Sequence, residues 1–176
     1  PIVLETVDVS VTGPRAGDPV FRDILANLPL RRGERLDHAT YEKVKSDLQR
    51  SAASYGYLDA HFTRNELLVD PPNHTASAFI AFETGERYKF GPTEIAQEVI
   101  RPELMRKYLR YQAGQPYDAM ELLRTQFALD DSQYFASVEV LPQQRDKAAL
   151  TVPIRISATP NRRSRCAYAA MARSRA

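Results

Sequence analysis

Two short segments, GERLD at 33–37 and GQPYD at 114–118, stand roughly eighty residues apart, each just before a stretch of helical periodicity. What surrounds them also repeats. Before GERLD comes VLETVDVSV, in which Val3, Val7, Val9 and Val11 share one face of a period-two strand and Glu5 breaks the pattern. Asp18-Pro19 then reads as an N-cap with proline at the first helical position, and Phe21, Ile24, Leu25 and Leu28 form a stripe stopped by Pro29. After GERLD, Asp37 can cap a helix carrying Tyr41, Val44, Leu48, Ala52 and Tyr55, with Gly56 as its C′ residue. HFTRNELLV and ASAFIAFE follow as strands around the turn DPPNHT.

The second half keeps that order. YKFGPTEIAQEVI contains a strand bent or bulged near Gly91-Pro92. Pro102 opens a helix bearing Leu104, Met105, Tyr108, Leu109 and Tyr111, ended by Gly114. Asp118-x-x-Glu121 reads as a capping box for a helix with Leu122, Leu123, Phe127 and Leu129 on its apolar stripe. SVEVL is a strand, PQQRDK its turn, and ALTVPIRI a strand with Leu150, Val152, Ile154 and Ile156 on one face. The expected fold is α+β: two tandem βααββ units at 1–86 and 87–160, each a three-stranded mixed sheet with two helices on one face. GERYKFG is then a short turn straight into the second unit. Sheets this small leave open edges, whose unpaired N–H and C=O groups can pair with an incoming strand.

Charge narrows the function. Five of the 24 basic residues lie in 161–176, which holds no acid, so the remaining 19 face all 22 acids. The body is mildly acidic, which argues against nucleic acid as a partner. The single cysteine, Cys166, lies in the same tail and reads as an incidental thiol, so no disulfide or cysteine–metal framework is expected. No run of eighteen apolar residues exists, and the opening PIVLETVDVSV reads as a strand rather than a signal peptide. We therefore expect a fragment of something longer.

No chemistry-bearing constellation emerges. His38, His61 and His74 share no ligand spacing and read as exposed or capping residues. No GxGxxG or phosphate loop is present; GPRAG is a turn. Asp130-Asp131 reads as solvated charge and Asp59 as a turn or cap residue; Arg31-Arg32 and Arg87 read as solvated cations, with acidic partners or lipid head groups as the sharper alternative. Tyr41, Tyr55, Tyr108 and Tyr111 lie on apolar stripes, which suits core packing with the hydroxyl at the rim; the sharper alternative is an aromatic peptide groove. A KH-like RNA-binding module shares the βααββ order, but it needs a GxxG loop, and none occurs. No catalytic, cofactor-binding or metal-ligating residue is assigned, and an enzyme is not expected.

A tandem of βααββ units resembles POTRA domains, the polypeptide-transport-associated modules of outer-membrane assembly proteins. The motifs are most similar to the second and third units of the TamA family, the translocation and assembly module proteins related to BamA. Gly85, Arg87, Tyr88, Phe90 and Gly91 match its Gly-x-Arg-Tyr-x-Phe-Gly junction between units. Gly56, Tyr57, Asp59, Ala60 and Phe62 match its Gly-Tyr signature, and Tyr134, Phe135, Ser137, Val138 and Val140 its aromatic-Phe-x-Ser-Val-x-Val.

The resemblance covers 1–163. It implies a non-enzymatic periplasmic scaffold that guides unfolded outer-membrane proteins, autotransporters especially, toward a C-terminal β-barrel. It also implies a TamB-like inner-membrane partner and needs no cofactor. Related alternatives are a tandem from BamA itself or from a two-partner secretion transporter. By family analogy the client-binding edge is the second strand of each unit. Here these are Phe62, Thr63, Arg64, Asn65, Glu66, Leu67, Leu68 and Val69, and Ser137, Val138, Glu139, Val140 and Leu141. Arg64, Glu66 and Pro142 are typical guards of such edges.

After PNRR the family enters its barrel, whereas this chain reads SRCAYAAMARSRA, without glycine or alternation. We expect 161–176 to be a disordered or adventitious tail. Deleting Arg165 to Ala176 should leave the thermal midpoint unchanged; a clear drop in calorimetry would show that the tail packs.

Overall fold

The computed structural model describes residues 1–161. The expectation for 162–176 lies outside the described residues. The chain divides into two compact units, the first Pro1–Arg87 and the second from Tyr88 onward.

In the first unit the elements are β1 (Val3–Thr12), α1 (Pro19–Ala26), α2 (His38–Ser54), β2 (His61–Asp70) and β3 (Thr75–Glu83). The sheet order is β1-β3-β2, with β1 parallel and β2 antiparallel to the central β3. β3 pairs on both sides, and every second residue of it, Ala76, Ala78, Ile80 and Phe82, is buried. The valine pattern of β1 needs one correction. A bulge between Leu4 and Thr6 shifts the register, so Leu4, not Val3, is the buried residue, and Val7, Val9 and Val11 take over the same face beyond it. Glu5 breaks the alternation because it is the extra residue of that bulge.

α1 starts at Asp18, whose carboxylate accepts from the Val20 N–H at 3.0 Å. α2 starts at Asp37, which accepts from the N–H groups of Ala39 and Thr40. α2 ends where Gly56, at φ +87, lets Tyr57 donate its N–H back to Ala52 O at 2.8 Å. Tyr55 is left exposed at that end. Phe21, Tyr41, Val44, Leu48 and Tyr57 fill the space between helices and sheet, with Phe21 edge-on to Tyr57 at 5.0 Å.

The second unit repeats this as β4 (Lys89–Ala96), α3 (Pro102–Tyr108), α4 (Ala119–Asp131), β5 (Phe135–Pro142) and β6 (Thr151–Pro160), in sheet order β4-β6-β5. Each unit is a three-stranded mixed sheet with two helices, so the fold class is the one expected. Four details differ from expectation. α3 stops at Tyr108, and Tyr111 reaches the core from the following loop, stacked on Phe90 at 4.4 Å. The capping box is only half formed: Asp118 accepts from the Met120 N–H, but Glu121 pairs with Arg124 instead of reaching back. Leu150 sits before β6 at φ +52 rather than on its inward face. Leu123 and Phe127 are not core residues; Leu122, Thr125 and Leu129 form the buried face of α4.

The bend expected near Gly91-Pro92 is a break in register between Phe90 and Thr93. A Cβ at Gly91 would lie 3.0 Å from Pro153 N and 3.1 Å from Val152 C, both backbone atoms of β6. Backbone cannot swing aside as a side chain can. Gly91→Ala should therefore destabilise the second unit by about 1–3 kcal/mol, read as a lowered urea midpoint. Gly17→Ala, where the added carbon meets nothing within 4 Å, is the matched control.

Candidate functional site

A three-stranded sheet has two edges, and here they are treated differently. In the first unit the segment before α2 lies along the outer side of β1. Gly33 donates its N–H to Leu4 O at 2.7 Å, Leu4 donates to Glu34 O at 2.8 Å, and Leu36 donates to Ile2 O at 2.9 Å. The second unit repeats each bond on β4: Gly114 to Phe90 O at 2.8 Å, Phe90 to Gln115 O at 2.8 Å, and Tyr117 to Tyr88 O at 3.0 Å. Gly33 and Gly114 stand at φ +88 and +87, a region most side chains avoid, and that turn lays the segment against the strand. This accounts for the repeated GERLD and GQPYD, a role that periodicity and motif did not assign.

β2 and β5 have no such cover. They pair with β3 and β6 on one side, and among the described residues no backbone segment bonds to their other side. The predicted edge residues thus lie on the uncovered side of each sheet. Both strands open with the same device. A bulge follows Phe62 in β2 and Phe135 in β5, so Thr63 and Ala136 are the extra residues. Beyond it the strands correspond position by position. Asn65, Leu67, Val138 and Val140 pair with inward-facing residues of the central strands. Arg64, Glu66 and Leu68, and likewise Ser137, Glu139 and Leu141, lie on the opposite face. Leu68 and Leu141, equivalent in register, are 56 % and 51 % exposed.

The two edges differ in their guards. On β2 the Arg64 guanidinium lies 4.0 Å above the Phe79 ring and pairs with Glu66 at 2.8 Å. The pair is on the outer face of the sheet, so it does not cap the edge amides. On β5 that place is held by Ser137, bonded to the Thr159 hydroxyl at 2.7 Å. Pro142 ends β5 with a residue that has no N–H to offer.

The junction residues divide between the units. Gly85, at φ +64, passes beside Asp59, and Arg87 donates from Nε to Tyr55 O at 2.7 Å. The Arg87 guanidinium also stands 5.8 Å from the Tyr57 ring. Tyr88 and Phe90 are fully buried in the second unit. So the last residue of one unit and the first of the next are each anchored in their own body.

Beneath Arg87, the buried Tyr57 donates its hydroxyl proton to Asp18, joining the start of α1 to the end of α2. Burial, the Asp18 hydrogen bond and its negative charge push the Tyr57 hydroxyl up to about 12. Burial alone would raise the Asp18 carboxyl. The Tyr57 and Val20 hydrogen bonds, with Arg87 and Arg15 nearby, outweigh it and hold the carboxyl below its usual range.

A scan of the sequence against protein-family models finds no match. Solved structures do resemble it. The third to fifth POTRA domains of Haemophilus influenzae BamA match at a TM-score of 0.60 and 16 % identity, over 90 % of this chain and 61 % of that one. BamA from Haemophilus ducreyi lacking POTRA domains 1–3 matches at 0.64 and 12 %, over 89 % and 29 %. The first two POTRA domains of Anabaena Omp85 match at 0.56 and 12 %, over 88 % and 94 %. The fold is that of tandem POTRA units. The chain spans about three fifths of the first of these structures.

The Asp18–Tyr57 pair gives a test with two pH arms. Asp18, with a lowered pKa, stabilises the fold above the unfolded carboxylate range near pH ~4, and that contribution is lost as pH falls through the depressed folded value. Tyr57, with a raised pKa, contributes fully below pH ~10, and its share is lost as pH rises from there toward 12. Tyr57→Phe should cost about 1–2 kcal/mol at neutral pH and flatten both slopes in urea denaturation. Unchanged slopes would show that the pair is not linked to folding.

Proposed function

We propose that this chain is the periplasmic POTRA part of an Omp85-type outer-membrane assembly factor. It acts as a non-catalytic scaffold that receives extended client segments at the open edges of its sheets. The observation that carries the reading is the repeated asymmetry: in both units the β1-type edge is sealed by a glycine-led segment and the β2-type edge is left uncovered. A strand added there gains main-chain hydrogen bonds that do not depend on its side chains, as a factor with many clients requires. The tandem POTRA fold of the BamA and Omp85 structures supports the family assignment.

The narrower assignment, to a TamA-like factor with autotransporter clients and a TamB-like inner-membrane partner, rests on the motifs GERYKFG and GYLDAHF. The inference is that Gly85, Arg87, Tyr88, Phe90 and Gly91 hold the junction, while Phe62 to Val69 and Ser137 to Leu141 meet the client.

The test is an amide-resolved NMR titration with peptides from outer-membrane β-strands. Shifts should concentrate in Phe62–Val69 and Ser137–Leu141, with β1 and β4 still. If both edges are unmoved at millimolar peptide, edge pairing is wrong for this chain. Adding a soluble fragment of a TamB-like protein tests the narrower assignment, which fails if no residue responds.

A further inference from the structure

The two open edges share a short pattern and differ at one residue. Beyond its bulge, β2 presents Arg64, Glu66 and Leu68 on the outer face, and β5 presents Ser137, Glu139 and Leu141. Counted from the bulge, the two acids are equivalent, and so are the two exposed leucines. The difference lies one step earlier on that face. Arg64 lies over the Phe79 ring and answers Glu66 from within its own strand at 2.8 Å. Ser137 carries no charge and bonds to the Thr159 hydroxyl instead. Glu139 is exposed and stands opposite Ser157. Among the described residues no ion pair reaches it. Arg155 of β6, a cation on the same face, stands opposite Leu141 and Glu94 rather than Glu139. Each edge thus sets a carboxylate two residues from an exposed leucine, and only on β2 is that carboxylate paired.

We propose that Glu139 makes the second unit's edge selective for basic client segments. The β5 edge takes an extended segment that sets a Lys or Arg opposite Glu139 and, two residues away, an apolar side chain opposite Leu141. The β2 edge takes the apolar side chain at Leu68 with little regard for charge. The inference rests on the edge-pairing reading and adds the chemical class of segment that each edge prefers. A strand added to an edge lays every second side chain on the outer face, with directly opposed Cβ atoms about 4.5–5.5 Å apart. Contact with Glu139 and Leu141 therefore follows from the pairing itself. At that separation opposite charges attract and like charges repel, and because the site is exposed, salt screens both. On β2 an incoming cation meets a carboxylate that Arg64 already holds. Asp70, the next acid on that face, accepts from the N–H and the side-chain amide of Asn73 at the hairpin turn.

The test uses a peptide built on Leu-x-Lys-x-Leu, which reads the same in either strand direction, and a second with Glu in place of the Lys. Binding to each edge is read from the amide shifts of β2 and β5 in the whole chain. The Lys peptide should bind β5 about fivefold more tightly than the Glu peptide at low salt. That gap should shrink in roughly 1 M salt. At β2 the two peptides should differ by about twofold or less. Glu139→Gln should remove the preference while β5 still responds, and Arg64→Ser should create one at β2. All of these side chains are on the outer face, and a native amide spectrum confirms that each variant folds. Equal binding of the two peptides at β5 overturns the proposal and leaves edge pairing intact. So does a preference that survives Glu139→Gln, or one equally strong at both edges. Silence of both edges to both peptides overturns edge pairing and this inference together.

Discussion

Backbone hydrogen-bond satisfaction at sheet edges is the constraint on which the rest depends. Three strands are too few to bury their margins, so each unit must deal with two rows of unpaired groups. Both units solve one margin in the same way. A glycine at positive φ folds the segment before the second helix against the first strand, and three bonds of 2.7–3.0 Å seal it. That segment ends in the aspartate that caps the helix, so edge sealing and helix initiation share five residues. The other margin carries a bulge near its start and, on β5, a terminal proline, but no covering segment.

Much of this was legible in the sequence because the signals were local. Caps at Asp18, Asp37 and Asp118, the C′ glycine at 56 and the alternation of ASAFIAFE each depend on a few neighbours. The repeat order then fixed the architecture, since a βααββ unit that pairs its strands around the last has few alternatives. The misses were non-local. Glu5 looked like a flaw in an alternating strand, and only pairing with β3 reveals it as the extra residue of a bulge. Tyr111 is buried as its apolar spacing implied, but from the loop after α3 and not from the helix, because Phe90, a distant residue, stacks on it.

The most informative miss concerns α4. Its sequence carries apolar residues on two flanks, and periodicity alone assigned both to the core. The buried face needs only Leu122, Thr125 and Leu129, which leaves Leu123 and Phe127 in solvent. Comparison with α2 could have flagged this, because Glu42 and Ser46 stand where Leu123 and Phe127 do. The edge residues were placed through family resemblance, whereas the sealing role of Gly33 and Gly114 came only from the structure.

Each unit has one edge sealed and the other open, and amide hydrogen exchange of the free chain measures that difference directly. Leu4, Leu36, Phe90 and Tyr117, whose N–H groups make the sealing bonds, should exchange slowly along with the central strands. On β2 and β5 slow and fast amides should alternate, the fast ones pointing outward. Uniform protection along Phe62–Val69 and Ser137–Leu141 would mean that those edges are already covered, and the client-receiving account would be contradicted.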